Sequence, residues 1–192
     1  FKTYHVDQLS LPKRARNTNK GNYGKLTIVA GSKNYSGAAV LCSRAALRAG
    51  AGLVTCACDI VTAQALKASL PEAMTIACGE DFIQDVRALE DLISDHPFAL
   101  GPGIATSQPT ANVVSTLIKL KNPKVIDADA LNILSSSLYM LEGSNCIITP
   151  HPKEFSRLTG LSVPQILSDP LHHAKEFARR MGIVVLLKGS SS

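Results

Sequence analysis

Tryptophan is absent from this chain of 192 residues, and aromatic residues make up only 5% of it. Any core must therefore be built from Ala, Val, Ile and Leu. Long apolar runs are also missing. The longest, such as Ile183 to Leu187, fall far short of the roughly 20 residues a membrane-spanning helix needs. No Cys-x-x-Cys pair occurs among the five cysteines, and an odd number fits no closed disulfide framework. Cys42, Cys56, Cys58, Cys78 and Cys146 each lie in an apolar stretch, so they read as buried, reduced thiols of a reducing compartment. Cys56 and Cys58 share one face of a strand, which is a weak metal signal. Neither a Walker motif nor Gly-x-Gly-x-x-Gly is found, so the chain reads as neither a P-loop protein nor a dinucleotide fold of the Rossmann type. No signal-peptide pattern is visible, and with the reduced thiols this predicts a cytoplasmic protein. Both ends look cut: the first residue is Phe1, not Met, and the last five follow directly on a strong strand.

What is present is ordinary for a globular protein. Hydrophobic residues account for 45% and charged residues for 18%, and the length suits one domain with a sizeable core. The net charge of +5 is spread along the chain, apart from a cluster at Lys13, Arg14 and Arg16. That cluster reads as a solvated entry segment rather than a nucleic-acid patch. A modest positive balance suits a polyanionic small molecule such as a nucleotide. No nucleic-acid or membrane partner is expected.

Residues 1–24 are polar and rich in basic and turn residues, and predict an arm or linker. Residues 25–192 predict one domain. Short apolar runs suited to buried strands are Lys25 to Ala30, Leu53 to Cys58, Thr75 to Cys78, Phe98 to Leu100, Lys124 to Ile126, Asn145 to Ile148 and Ile183 to Leu187. Between them lie stretches at helical spacing: Gly37 to Ala49, residues 60–69, Asp81 to Ile93, Thr110 to Leu120, Ala130 to Leu134, and Pro152 to Thr159. A further helix, opened by the capping box Ser162-x-x-Gln165, is predicted to run to about Met181. The alternation predicts a mostly parallel α/β sheet covered by helices on both faces.

In open sheets of this kind ligands bind beyond the carboxyl ends of the strands, so residues just after strands carry the functional signal. Gly31-Ser32-x-x-x-Ser36-Gly37-Ala38-Ala39 leads into a helix start, where backbone N–H groups face an anion or a polar ligand, or else form a tight turn. Gly101-Pro102-Gly103 leaves the backbone bare after a strand. Asp127-Ala128-Asp129 offers two carboxylates that would hold Mg²⁺ through water or position a hydroxyl, with Asp129 the better candidate to cap the next helix. His151 is clamped between Pro150 and Pro152, with Glu154 on the first turn that follows. Lys188-Gly189-Ser190-Ser191-Ser192 brings an ammonium, a bare backbone and three hydroxyls, all suited to a phosphate, or else is a serine tail. His5, His96, His172 and His173 lack comparable surroundings and read as surface residues.

These segments taken together resemble the ADP- or ATP-dependent NAD(P)H-hydrate dehydratases, which belong to the ribokinase-like superfamily. The resemblance runs from about Leu11 to Ser192. It rests on Lys20-Gly21-x-x-Gly24, Ala30-Gly31-Ser32, Gly37-Ala38-Ala39, Ala45 to Val54, Pro71-Glu72-x-Met74, Gly101-Pro102-Gly103, Asp127-Ala128-Asp129-Ala130-Leu131-Asn132, Thr149-Pro150-His151-Pro152-x-Glu154 and Leu187-Lys188-Gly189. Each motif alone is weak, whereas their order and spacing as a set are specific.

The resemblance implies a three-layer ribokinase-like fold whose C-terminal part lies beyond residue 192. It implies repair of nicotinamide nucleotides: the ring hydroxyl of NADHX or NADPHX is phosphorylated by ADP (or ATP), and loss of phosphate restores NADH or NADPH. Ala38, Gly103 and His151 would line the hydrate site. Lys188, Gly189, Ser190, Ser191 and Ser192 would grip the adenine nucleotide. Asp127, Asp129 and Glu154 would order the site or its Mg²⁺. The catalytic base, an Asp in a Gly-Gly-x-Gly-Asp segment, is expected beyond Ser192. A homotetramer is implied, as is an epimerase domain fused ahead of Phe1 or paired with the chain, the stretch Leu11 to Arg16 resembling the join. Four positions depart from the family pattern: Asn19 for His, Lys153 for Gly, Ala105 for Gly and Ser192 for Thr. Two further readings stay open, a vitamin-precursor kinase of the same superfamily and a non-catalytic nucleotide-binding protein. The segment Thr149 to Glu154 favours the dehydratase.

Overall fold

The computed structural model describes Lys13, residues 15–80 and residues 83–189. The expectations for Ser190, Ser191 and Ser192, for His5 and for most of the N-terminal arm lie outside these residues. A 3-10 turn, Lys20–Tyr23, precedes β1 (Lys25–Val29), α1 (Ser36–Ala49), β2 (Leu53–Cys58), α2 (Ile60–Ser69) and β3 (Met74–Ala77). Then come α3 (Val86–Ile93), β4 (Phe98–Leu100), α4 (Gln108–Leu117), β5 (Lys124–Ile126), α5 (Asp129–Leu134), β6 (Cys146–Ile148), α6 (Pro152–Thr159), α7 (Val163–Ser168), α8 (Pro170–Met181) and β7 (Val184–Val185).

The seven strands form one sheet in the order β3-β2-β1-β4-β5-β6-β7, and every pairing is parallel. Side chains alternate across the sheet, so two cores result. Ile28 of β1 and Ala30 just beyond it enter one, with Val54, Cys56 and Cys58 of β2 and with Ala39, Ala63 and Leu66 of α1 and α2. Val29 enters the other, with Leu100, Ile126 and Ile148 and with side chains of α3 to α8 such as Leu89, Val114, Leu131, Phe155, Ile166 and Phe177. With little aromatic mass available, small and branched aliphatics fill most of this space. An exception is Phe155 and Phe177, packed edge to face at 5.4 Å between centroids.

The helical cover is unequal. One cross-strand row runs Cys56, Ile28, Ala99, Val125, Ile147, Val184. Cys56 and Ile28 are sealed under α1 and α2, whereas Val125, Ile147 and Val184 are exposed on the same face of β5 to β7.

Local chemistry explains the element ends. Asp59 accepts the N–H groups of Val61 and Thr62 and the hydroxyl of Thr62, and so starts α2. Gly50, at φ 105°, closes α1 with its N–H on the carbonyls of Ala46 and Leu47.

Four sequence expectations need correction here. The helix from Ser162 does not reach Met181. It breaks at Asp169, because Pro170 disfavours helical backbone at the residue before it. The predicted helix from Asp81 starts at Val86, where the Asp85 carboxylate accepts the N–H of Ala88. The last strand is confined to Val184–Val185, although its ladder continues through Leu186 N–H to Ile148 C=O and Lys188 N–H to Pro150 C=O. His96 is not a surface residue either. Its side chain is only 16% exposed, and its Nε2 lies 2.7 Å from the buried hydroxyl of Thr27.

Candidate functional site

The strand order places a topological switch point between β1 and β4. From β1 the chain steps outward to β2 and β3, then returns to the other side of β1 and proceeds through β4 to β7. Connections therefore leave the neighbours β1 and β4 in opposite directions, and a crevice opens beyond their carboxyl ends. A cleft of about 630 Å³ lies there, lined by Asn34, Tyr35, Gly37 and Ala38 after β1, Gly103, Ala105 and Thr106 after β4, and Ala128 and Asp129 after β5. Of the residues singled out from sequence, Ala38, Gly103 and Asp129 thus meet in one place.

The walls of this cleft are tightly built. Gly31 N–H donates to Pro102 C=O at 2.8 Å, and Gly101 N–H to Val29 C=O at 3.1 Å, so the two loops are laced together. A Cβ on Gly101, at φ 130°, would stand 1.8 Å from the carbonyl oxygen of Asp127. A Cβ on Gly103, at φ 68°, would stand 2.8 Å from the Ala38 Cβ and 2.9 Å from the Tyr35 Cβ. Glycine is required at both positions for space as well as conformation.

Asp129 does not cap α5. The N-cap position is Ala128, at φ 51° and ψ −120°, and no side chain caps the helix. Asp129 Oδ2 instead accepts the N–H of Ala105 at 3.0 Å, across 24 residues of sequence. Ala105 itself sits at φ 63°, in the left-handed region that favours glycine. This accounts physically for the Gly that the resemblance leads one to expect there.

The second group of strand-end residues stands at β5, β6 and β7. Lys188 Nζ lies 2.7 Å from Asp127 Oδ1, while the Lys188 N–H is held by Pro150 C=O. An ammonium is thereby fixed beside the turn that carries His151. His151 is the N-cap of α6: its Nδ1 accepts from the N–H of Lys153 and of Glu154, while Glu154 Oε2 accepts the His151 N–H at 2.8 Å. Because Nδ1 is the acceptor, the proton of the neutral ring sits on Nε2, which lies 3.3 Å from Glu154 Oε1. Glu154 is 6% exposed, so it is a buried half of a reciprocal cap rather than a loose helix-start charge. Gly189 follows on the exposed surface. His151, Asp127, Glu154, Lys188 and Gly189 do not line the cleft at β1 and β4.

The carboxylates do not form a protein cage for Mg²⁺. Asp127 is engaged by Lys188, Asp129 by the Ala105 N–H, and Glu154 by His151. Among the described residues, the group of three metal-ligating side chains with mutually close ligand atoms is His172, His173 and Glu176 on α8, not these. A Mg²⁺ at this end would be held chiefly by ligand phosphates and water.

Residues that sequence reasoning passed over are Asn34, Tyr35 and Thr106. Asn34 and Tyr35 fall at the unspecified positions between Ser32 and Ser36, and Thr106 lies beyond the Gly101-Pro102-Gly103 turn; only the juxtaposition of two loops far apart in sequence shows that they share a wall.

A parallel sheet with a switch-point cleft and a lysine fixed at a neighbouring strand end defines the class: a three-layer α/β protein of the ribokinase-like kind. A solved ribokinase-like superfamily protein from Enterococcus faecalis V583 has this fold, with a TM-score of 0.78 at 23% identity, over 92% of this chain and 61% of that one. A Bacillus subtilis ADP/ATP-dependent NAD(P)H-hydrate dehydratase, co-crystallised with ATP and Mg²⁺, superposes with a TM-score of 0.73 at 27% identity, over 93% of this chain and 62% of that one.

The NAD(P)H-hydrate dehydratase family model matches residues 26–192, and the chain belongs to that family. It is 37% identical over 191 residues to a bifunctional NAD(P)H-hydrate repair enzyme of Moorella thermoacetica, covering 94% of this chain and 36% of that protein. It is 31% identical to an ADP-dependent (S)-NAD(P)H-hydrate dehydratase of Lactiplantibacillus plantarum, covering 97% of this chain and 66% of that protein. The chain thus spans about a third of the bifunctional relative and about two thirds of the shorter one. Among the described residues no helix is long and apolar enough to cross a membrane.

Proposed function

We propose that the protein, as part of its full-length form, is an ADP-dependent NAD(P)H-hydrate dehydratase that repairs hydrated nicotinamide cofactors. The observation that carries this reading is the switch-point cleft, whose wall is made by Ala38 and Gly103 within a family whose relatives bear that name. In this reading the hydroxyl oxygen on the hydrated ring attacks the terminal phosphorus of ADP, and AMP leaves. The carbon–oxygen bond then breaks, phosphate departs with the electron pair, loss of a ring proton re-forms the double bond, and NADH or NADPH results. Transfer of this type is governed by positioning and charge stabilisation.

Each residue has a part in the proposal. Gly103 and Ala38 allow close approach of the hydrated ring, and His151, which lies outside the cleft, would bound the hydrate site further along, from the β6 side. Lys188 supplies a point charge for the nucleotide phosphates, with Gly189, Ser190, Ser191 and Ser192 contributing N–H and hydroxyl donors. Asp127 holds Lys188 in place, and Asp129 and Glu154 hold the loops. Mg²⁺ would supply charge neutralisation on the phosphates. The proposal includes a cytoplasmic location, a homotetramer, and an epimerase fused to or working beside the chain, as the bifunctional name of the Moorella thermoacetica relative suggests.

The test is incubation of the full-length protein with hydrated NADH and either ADP or ATP, following NADH absorbance. Faster recovery with ADP is expected. No recovery with either nucleotide sinks the proposal, and phosphorylation of a vitamin alcohol in its place would assign a kinase.

A further inference from the structure

Arg157 stands on α6, exposed and outside the cleft. Its Nη1 donates to Asn132 Oδ1 at 2.5 Å, across 25 residues of sequence. The same amide turns its Nδ2 toward Asp129 Oδ1, at 3.5 Å. Asp129 in turn accepts the Ala105 N–H through its other oxygen. A chain of contacts therefore runs from α6 through α5 to the loop after β4.

The chemistry of the four groups leaves Asn132 little choice. A guanidinium only donates, and a carboxylate only accepts. An amide alone among neutral side chains of this size presents a donor group, its NH2, and an acceptor, its oxygen, at opposite ends of a single rigid plane. Its orientation is thus dictated by its neighbours, with oxygen toward Arg157 and nitrogen toward Asp129. The longer of the two contacts is the one to Asp129, so Arg157 anchors the amide, and the amide biases the carboxylate.

Asp129 needs such a bias. Helix α5 begins at a strained Ala128 with no side-chain cap, so the start of the helix is not fixed in the usual way. The loop it holds is strained too, since Ala105 sits at φ 63°, which costs on the order of 1 kcal/mol or more for a residue with a Cβ. A strained backbone persists only where its surroundings over-determine it. Two residues before Ala105 lies Gly103, the cleft wall.

We propose that Arg157 is a positioning residue: acting through Asn132 and Asp129, it holds the Gly103–Ala105 wall of the cleft in its binding conformation. This rests on the reading of the cleft as the hydrated-cofactor site. Arg157 touches no ligand in this scheme. Asn132 acts as the adaptor that lets an arginine orient an acid it does not contact.

The test compares Asn132→Asp, Arg157→Met and Arg157→Lys in the full-length protein. Asn132→Asp keeps an acceptor for Arg157 but sets a second carboxylate against Asp129. KM for the hydrated cofactor is expected to rise about tenfold in Asn132→Asp and Arg157→Met, with KM for ADP within about twofold of its starting value. Arg157→Lys, retaining one donor, is expected to recover part of the loss. Amide exchange of residues 101–106, read by mass spectrometry, is expected to quicken several-fold in the first two variants while the β1 and β2 amides keep their protection.

Unchanged exchange at residues 101–106 in Asn132→Asp would overturn the proposal whatever the protein's substrate. So would a parallel rise of both KM values with general loss of protection. An unmodified protein that leaves the hydrate unconverted, while the exchange still responds, would instead remove the functional reading and spare the relay.

Discussion

Lys188 reaches across the end of β6 to place its ammonium 2.7 Å from the Asp127 carboxylate, so that the ends of β5 and β7 are tied together over an intervening strand. The two side chains are 39% and 26% exposed. An ion pair so open to solvent contributes less than about 1 kcal/mol to stability. Its value lies in fixing where a positive charge stands. Lys188→Met is therefore expected to leave the thermal midpoint within a few degrees while weakening ADP binding by ten-fold or more, the scale of a lost charge-assisted bond to phosphate. Calorimetric titration with ADP, set beside a melting curve, checks both halves. Unchanged affinity would remove Lys188 from the nucleotide site.

His151 has two separable roles. As the N-cap of α6 it satisfies the N–H groups of Lys153 and Glu154, and loss of such a cap costs about 1 kcal/mol. His151→Ala should lower stability by that amount, seen as a shift in the urea midpoint. His151→Asn should restore the cap, because an Asn oxygen accepts the same two N–H groups, yet it removes the imidazole. If the ring also faces the hydrated cofactor, His151→Asn will be as stable as the unmodified protein and still show a raised KM for the hydrate. Full recovery of KM with Asn would make His151 a cap alone.

The buried thiols set an alkaline limit. Burial pushes the Cys78 thiol up from 9.0 to about 11, with the Asp85 carboxylate and Cys58 adding to it. Partial burial raises Cys42, which is half-buried rather than buried as its sequence surroundings suggest, and burial raises Cys146. A group whose folded pKa is raised contributes stability that is complete below its unfolded pKa and is lost as pH climbs toward the folded one. Stability should therefore fall between about pH 9 and pH 11. Lys124 opposes this in part: burial lowers its pKa, so the unfolded chain binds the extra proton, and the penalty fades as pH rises. Urea midpoints at pH 8 and pH 10 check the sign, and Cys78→Ala should flatten the decline. A steeper decline in that variant would contradict the assignment.

Period and composition made the sheet legible. Short apolar runs bounded by Gly, Pro and Asp mark strands buried on both faces, and small-residue helices at helical spacing fall between them, so the alternation alone indicated a parallel α/β fold. Strand ends were equally legible: they mark the segments from Gly31 to Ala39, Gly101 to Gly103 and Asp127 to Asn132, and within the first two it is the family resemblance that implies Ala38 and Gly103. Long-range pairings were not. Nothing local marks Asn34, Tyr35 or Thr106 as cleft walls, because each becomes one only when β1 and β4 lie side by side. Asp129 looked like a helix cap because acids at strand–helix junctions usually are. Its partner, the Ala105 N–H, is made available by a backbone conformation that sequence pattern does not display. His96 looked exposed for the same reason, since its partner Thr27 is 69 residues away.

Gly103 and Ala105 lie two residues apart in one loop and should respond in opposite directions to substitution. Gly103→Ala meets φ 68° and Cβ contacts of 2.8 and 2.9 Å with Ala38 and Tyr35. Both contacts are tighter than van der Waals packing allows, so the loop after β4 must move away from α1 and the cleft must distort. A destabilisation of about 1–3 kcal/mol is expected, with a large rise in KM for the hydrate. Ala105→Gly removes a Cβ from a residue at φ 63°. Relief of about 1–2 kcal/mol of left-handed strain is set against the greater chain entropy of glycine in the unfolded state, roughly 0.4–1 kcal/mol. The net gain is expected to be positive and below about 1.5 kcal/mol, with the Asp129 bond to residue 105 retained because it uses the backbone N–H. Urea denaturation of the two variants beside the unmodified protein measures this directly. A stabilised Gly103→Ala, or an Ala105→Gly that loses stability, would mean that the loop is not held in this conformation.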